Sequence, residues 1–268
     1  MKKAIALILV SVMSFSLICG CSNSAKNTTL TDADFIVNLG KGLEARWTLV
    51  NSEDTSVAMS AAEQQKADML YVNAELDAIG NLDDYQFEDA ELKTLAETYM
   101  KGLSLQKDGI PYRSTTDYNN IQKTWSLGYY YRAVCVAELY NKYGLTVDEK
   151  FQKELNDFVA ESTTAKKQIA IQDFVNELPD KLSYVKDVES SDEWTTYYKT
   201  IIENTTDYEI SSLEIDIDFL DASGVVIAQT TEYLQNIRPG AKVQSKIFYD
   251  NSDGKFETMQ YKVTAYTE

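Results

Sequence analysis

At 268 residues the chain has room for one large domain or two modest ones, and 44% apolar with 25% charged residues is the balance of a folded globular protein. A formal charge of −17 excludes a general affinity for nucleic acid, which needs a cationic surface, and sets electrostatics against adhesion to anionic lipid. Histidine is absent, which excludes Ser-His-Asp and Cys-His catalysis and every His-containing zinc site, and leaves carboxylate, Tyr, Lys or Thr chemistry or none.

Met1-Lys2-Lys3 is a short cationic start, and Ala4 to Ile18 is an apolar run with a few serines. This is the layout of a secretory signal, too short for a spanning helix of roughly 20 apolar residues. The stretch Leu17-Ile18-Cys19-Gly20-Cys21 resembles the lipobox of bacterial lipoproteins, with an aliphatic residue three before the modified cysteine and a small residue just before it. Ile18 and Gly20 match, and Cys19 stands where Ala or Ser is more common. The resemblance implies cleavage before Cys21 and a diacylglyceryl thioether on it. Two acyl chains give stable anchoring, since each buried methylene contributes about 0.8 kcal/mol. Loss of Lys2 and Lys3, with no acid removed, takes the formal charge from −17 to −19. Cys135 is then the only free thiol, no intrachain disulfide forms, and stability must come from the core.

Ser22 to Leu30 is small and polar and reads as a tether, reaching roughly 30 Å when stretched at ~3.3 Å per residue. From Thr31 to about Leu178 the apolar period is helical. Phe35, Leu39, Leu43, Trp47 and Val50 form one stripe, with Thr31 and Asp34 as its N-terminal cap. Ala62, Met69, Val72, Leu76 and Ile79 form the next, closed by Gly80. Leu92, Leu95, Tyr99 and Leu103 follow a cap at Asp89. Gln106 to Thr116 reads as a polar loop. The longest helix starts near Asp117, is apolar on more than one face, and ends at Tyr143-Gly144, as suits a central position in a bundle. Thr146 and Glu149 resemble a capping box for a helix with Phe151, Leu155, Phe158 and Val159 inward. Ile169, Phe174, Val175 and Leu178 continue the pattern until Pro179.

Leu182 to Ser191 is the candidate linker, and beyond it the period changes to two. Leu213, Ile215, Ile217 and Phe219 alternate with Glu214, Asp216 and Asp218, a strand wet on one face. Tyr197 to Ile202, Val225 to Thr231, Val243 to Tyr249 and Met259 to Tyr266 read as further strands. Asp221 to Gly224, Asp250 to Gly254 and a type II turn at Arg238-Pro239-Gly240 punctuate them, the middle one as a hairpin turn. Short strands in this rhythm argue a β-sandwich.

Ile217-Asp218-Phe219-Leu220-Asp221, then Gly224-Val225-Val226 and Pro239-Gly240, resembles the FxLYD family of small extracellular β-domains. The Asp, Gly and Pro-Gly slots match, while Ile217, Phe219 and Leu220 replace the aromatic, Leu and Tyr of the pattern. Over roughly the last 75 residues the resemblance implies an immunoglobulin-like module and names no ligand. The expected fold is α+β: signal peptide 1–20, lipidated cysteine and tether 21–30, an α-helical bundle 31–185, and a small immunoglobulin-like β-sandwich 190–268.

Candidate chemistry is sparse. Glu214, Asp216 and Asp218 on one strand face suggest calcium, but alternate residues stand roughly 6.6 Å apart, so a solvated face is the better reading. Asp250 to Gly254 lacks the spacing of a calcium loop. Arg132, in the apolar stretch beside Tyr129, Tyr130 and Tyr131, needs a carboxylate partner if buried and could face an anionic ligand. Cys135 reads as a buried hydrophobe. Paired-carboxylate hydrolysis is the rival function, although 42 acids make a chance pair inevitable.

The function expected is that of a non-catalytic lipoprotein on the extracytoplasmic side of the cell membrane. It is held by Cys21 as its one assigned site and binds or scaffolds an envelope protein or ligand. A cell-envelope hydrolase and a small-ligand carrier with a site between bundle helices are the alternatives. No cofactor, metal or nucleic-acid partner is expected.

Overall fold

The computed structural model describes residues 29–53 and 58–266. Cys21, the segment before it and most of the tether lie outside these residues. The described chain is a helical bundle followed by two small antiparallel sheets packed as a β-sandwich.

Helix α1 (Asp32–Asn51) begins with a closed capping box: Asp34 N–H donates to the Thr31 hydroxyl, and the Asp34 carboxylate accepts the Thr31 amide at 2.8 Å. Phe35, Leu39 and Leu43 are fully buried. Helix α2 (Ala61–Ile79) starts with a second box, Ser60 with Glu63, and stops at Gly80, whose φ is 75°. Its inward face is not the apolar stripe alone: Asp68, Tyr71 and Glu75 are buried with Val72 and Ile79, while Ala62 is exposed.

Helix α3 (Ala90–Gly109) takes its cap from Asp89, which accepts the Glu91 and Leu92 amides. It runs through the start of the expected polar loop. Gln106 is helical and fully buried, because it falls on the same face as Tyr99 and Leu103. Asp117 caps α4 (Tyr118–Ile121), which passes through a π-helical turn (Gln122–Ser126) into α5 (Leu127–Tyr143). Gly144, at φ 69°, ends this rod. Helix α6 (Gln152–Ala160) follows a 3-10 turn at Glu149–Phe151. The expected box of Thr146 and Glu149 does not form there. A Glu44 Oε1 from α1 accepts the Asp148 amide at 2.6 Å instead, so a distant carboxylate takes the place of a local one. Helix α7 (Ser162–Lys181) holds Pro179 in its last turn. In the bundle α1 packs chiefly on α2, α3 on α5, and α5 on α7.

The strands are β1 (Val185–Lys186), β2 (Thr195–Glu203), β3 (Ile210–Leu220), β4 (Val226–Ile237), β5 (Lys242–Asp250) and β6 (Thr258–Tyr266). One sheet runs β1-β2-β5 and the other β4-β3-β6. In β3 the period is two, as its sequence requires: Leu213, Ile215, Ile217 and Phe219 are buried, and Glu214, Asp216 and Asp218 face outward. Asp221 to Gly224 makes the β3–β4 hairpin, with Asp221 N–H donating to Val225 O at 2.9 Å. Pro239-Gly240 forms the type II turn, closed by Ala241 N–H on Arg238 O at 3.0 Å with Gly240 at φ 69°. Asp250 to Gly254 is not a hairpin turn. The strands it joins, β5 and β6, belong to different sheets, so it is a crossover between layers.

The buried apolar residues fall into two clusters. The first runs from Phe35 to Ala165, and the second takes Ile171, Phe174, Val175 and Leu178 of α7, then Leu182, together with the inner faces of both sheets. Helix α7 therefore packs against α5 at one end and lends apolar side chains to the sandwich core at the other, lying beside β6. Part of the candidate linker is structured: β1 within it pairs antiparallel with β2.

Candidate functional site

Two arrangements stand out: an ionic cluster inside the bundle and a cleft between the helices and the sandwich. The cluster depends on a close helix crossing. A Cβ placed at Gly102 of α3 would lie 2.8 Å from the Gly128 carbonyl of α5 and 2.9 Å from Arg132 Cγ. Only paired glycines let these backbones approach so closely. The crossing brings Tyr99 and Gln106 from α3 to Arg132 of α5, where they join Glu75 of α2 and Arg46 of α1 in one buried network.

Glu75 Oε1 accepts from Arg46 Nη1 at 2.9 Å and Arg132 Nη2 at 2.5 Å, and Glu75 Oε2 accepts the Tyr99 hydroxyl. Gln106 Oε1 accepts from Arg46 and Arg132 at 3.0 and 2.9 Å. Burial alone would raise the Glu75 carboxyl, but Arg132 and Arg46 hold it below its ordinary value. Burial drives the Tyr99 phenol up, and it pushes the Cys135 thiol up to about 12. Glu75 stays ionised while the arginines, the phenol and the thiol stay protonated. None of these groups is poised near neutral pH for proton transfer. One carboxylate faces two guanidiniums, so the cluster encloses a net positive charge. The Gln106 side-chain nitrogen is buried there without a hydrogen-bond partner among the described residues.

The cluster continues outward through the π-helical turn. Trp125 lies between two cations, with Arg113 4.5 Å and Arg46 5.8 Å from its ring centre. Arg113 Nε reaches the buried Asp68 at 3.3 Å, and Gln64 donates to the same carboxylate at 3.0 Å. A Cβ at Gly109 would lie 2.7 Å from Thr124 Oγ1, so α3 approaches this turn as closely as it does α5. Short π segments recur at functional positions.

The cleft has a volume of about 660 Å³ and three walls: the start of the long helix, the middle of α7, and the C-terminal half of β6 with Glu214 of β3. Its size is that of a ligand site. Asn119, Gln122, Gln168 and Gln172, Tyr118, Tyr130 and Tyr266, and Lys123 and Lys262 line it together with the apolar Ile171, Val175, Val263 and Ala265. Both acids in the lining are engaged. Asp117 accepts the Asn120 amide and side chain, which hold its carboxyl below the ordinary range. Glu214 accepts the Tyr266 hydroxyl at 2.9 Å.

Arg132, which the sequence marks as needing a carboxylate if buried, has Glu75 for its partner. Cys135 is buried and free. Of the strand acids, Asp216 accepts from Thr231 at 2.9 Å and Asp218 from Gln229 at 2.6 Å, and Glu214 lines the cleft. Among the described residues no group of three or more acids or cysteines is placed to hold a metal ion. Arg46, Asp68, Glu75 and Gln106 were not singled out by sequence. The only local signal was that Asp68 and Glu75 lie seven apart, hence on one face of α2. No protein-family model matches the chain, and neither a curated protein nor a solved structure does.

Proposed function

We propose that this chain is a lipoprotein of the cell envelope, anchored by acyl chains on Cys21, whose folded part binds a ligand in the cleft between the bundle and the sandwich and does no chemistry on it. The anchor rests on the resemblance of Leu17 to Cys21 to a lipobox. The immunoglobulin-like, FxLYD-like character of the sandwich rests on the turn and strand-end residues of β3 and β4. The observation that carries the binding reading is the cleft itself, lined by Asn, Gln, Tyr and Lys residues together with Ile171, Val175 and Val263. The engagement of its two acids supports binding over hydrolysis, because Asp117 is taken up by Asn120 and Glu214 by the Tyr266 hydroxyl.

Cys21→Ser should abolish partitioning into the detergent phase or leave an unprocessed precursor; equal partitioning and processing of both forms would remove the anchor from the proposal. For the ligand, a photo-crosslinking amino acid at Gln172 in intact cells should give a discrete adduct that the same group at the exposed Tyr233 of β4 does not. Identical patterns from both positions would count against the cleft.

A further inference from the structure

We infer that the ionic cluster inside the bundle binds one small monovalent anion, of the size of chloride, on the Gln106 carboxamide nitrogen beside the Arg46 guanidinium. Neither the cleft nor the lipid anchor bears on it.

The cluster's charge does not balance. Arg46, Glu75 and Arg132 are 8%, 0% and 2% exposed. Two guanidiniums against one carboxylate leave one positive charge over, and a charge taken out of water needs a counter-charge. Tyr99 does not supply it, because burial keeps the phenol protonated. Cys135, which also feels Arg132, is held as a thiol by burial. The next ion pair outward, Asp68 with Arg113, is neutral in sum.

Its hydrogen bonding does not close either. Gln106 is fully buried, and its oxygen accepts from Arg46 Nη1 at 3.0 Å and from Arg132 Nη1 at 2.9 Å. Two donors on the oxygen fix which way the carboxamide faces, since the reversed amide would set N–H against N–H. The nitrogen is left with two hydrogens to give and no acceptor among the described residues. A buried donor in that state is costly. It stands about 2.3 Å from its own oxygen by covalent geometry, so whatever it donates to lies in the field of both guanidiniums. Both bonds that Arg46 gives to Glu75 and Gln106 leave from Nη1, so its Nε and Nη2 hydrogens are spent on neither.

A neutral acceptor such as water would satisfy the nitrogen and leave the charge, whereas an anion satisfies both. One negative charge balances the cluster, and two would reverse its sign. Burial limits the ion to a small one. Arg46 is the most exposed side chain of the network and lies beside Trp125 of the π-helical turn, so entry is on that side. Bound there, the anion ties α1 to α3.

The test is thermal melting of the full-length chain in detergent, followed by helical circular dichroism, as sodium chloride replaces sodium gluconate at constant ionic strength. The midpoint should rise saturably, by about 5 °C or more at a hundredfold excess over Kd, and bromide should act alike. Gln106→Glu sets a fixed carboxylate on the same atoms, and Arg46→Met removes the surplus cation. Both should abolish the chloride response, and Gln106→Glu in gluconate should melt no lower than the native chain. Lys123→Gln/Lys262→Gln, which removes the cations of the cleft, should keep the response. In crystals of the native chain grown from bromide, an anomalous peak should lie within hydrogen-bonding distance of Gln106 Nε2, a reading that does not depend on either variant folding. Equal midpoints in chloride and gluconate, a response that survives Gln106→Glu or Arg46→Met, or bromide bound only elsewhere overturns the inference. A response lost in the cleft double variant moves the anion to the cleft and overturns it as well.

Discussion

Gly102 of α3 and Gly128 of α5 touch backbone to backbone, and a Cβ added to either would strike the carbonyl oxygen of the other. This contact sets how near Arg132 comes to Glu75. Gly102→Ala places a methyl 2.8 Å from the Gly128 carbonyl and forces the helices apart, because backbone yields less readily than a side-chain tip. The expected loss is about 1–3 kcal/mol in urea melts, the usual cost of overpacking. An unchanged midpoint would mean that the crossing relaxes freely.

Glu75→Gln should be more damaging than its size suggests. The substitution keeps the shape and leaves Arg46 and Arg132 buried without a counter-charge. Breaking a buried pair in this way costs about 3–5 kcal/mol. Combining Arg132→Met with Glu75→Gln should recover part of that loss, giving a large coupling in a double-mutant cycle. Additive losses would show that the cluster's charges do not act on one another.

Acid should weaken the sandwich through Asp187. Its carboxylate accepts from Ser190 at 2.8 Å and from Lys199 at 3.1 Å, and Lys246 stands at 3.2 Å. These partners hold its pKa down to about 2. A folded-state pKa below the unfolded one contributes stability that is complete above the ordinary carboxylate range near 4 and is lost as pH falls toward 2. Asp187→Asn should lower the melting temperature at pH 7 and narrow its gap to the native chain between pH 4 and pH 2. A gap that stays constant across that window would contradict the assignment. Glu75, also held low, adds an acid-labile component of the same sign in the bundle.

Phe219→Ala should cost about 3–5 kcal/mol. The ring is buried at the end of β3, with its centre 4.8 Å from that of Tyr249 and 4.9 Å from that of Phe256. Asp218→Ala, one residue away on the solvent face, should change stability by about 0.5 kcal/mol or less. Urea melts of both, with and without calcium, check the pair. A large loss from Asp218→Ala that depends on calcium would make the strand acids ligand sites again.

The signals that were legible in the sequence are those whose cause lies within a few residues. Thr31 with Asp34, Asp89 and Asp117 cap the helices they precede. Gly144 and Gly240 sit where a positive φ is needed. Alternation in β3 alone decides which of its faces is wet, because burying Glu214, Asp216 and Asp218 unpaired would cost several kcal/mol each. What the sequence determined by itself is thus the order of helices and strands and the inward face of the most regular of them.

The tertiary structure decided the rest, and always through partners far apart in the chain. Glu75 looks like a surface acid on an amphipathic helix, and its burial becomes tolerable only when Arg132, 57 residues later, reaches it across the Gly102–Gly128 crossing. Gln106 reads as loop for the same reason, since a polar residue beside Gly109 and Pro111 shows no sign of the two guanidiniums waiting for its carbonyl oxygen. Turn chemistry at Asp250 to Gly254 is local, but whether it reverses within a sheet or crosses to the other depends on which strand pairs with β3, and that pairing is settled by the shared core. The cleft has no sequence signature, because its walls come from α4, α7 and β6 and the space among them exists only once α7 has divided its apolar face between two cores. Periodicity reports the polarity of a face, while the cost of burying a charge is set by what the rest of the chain brings to meet it.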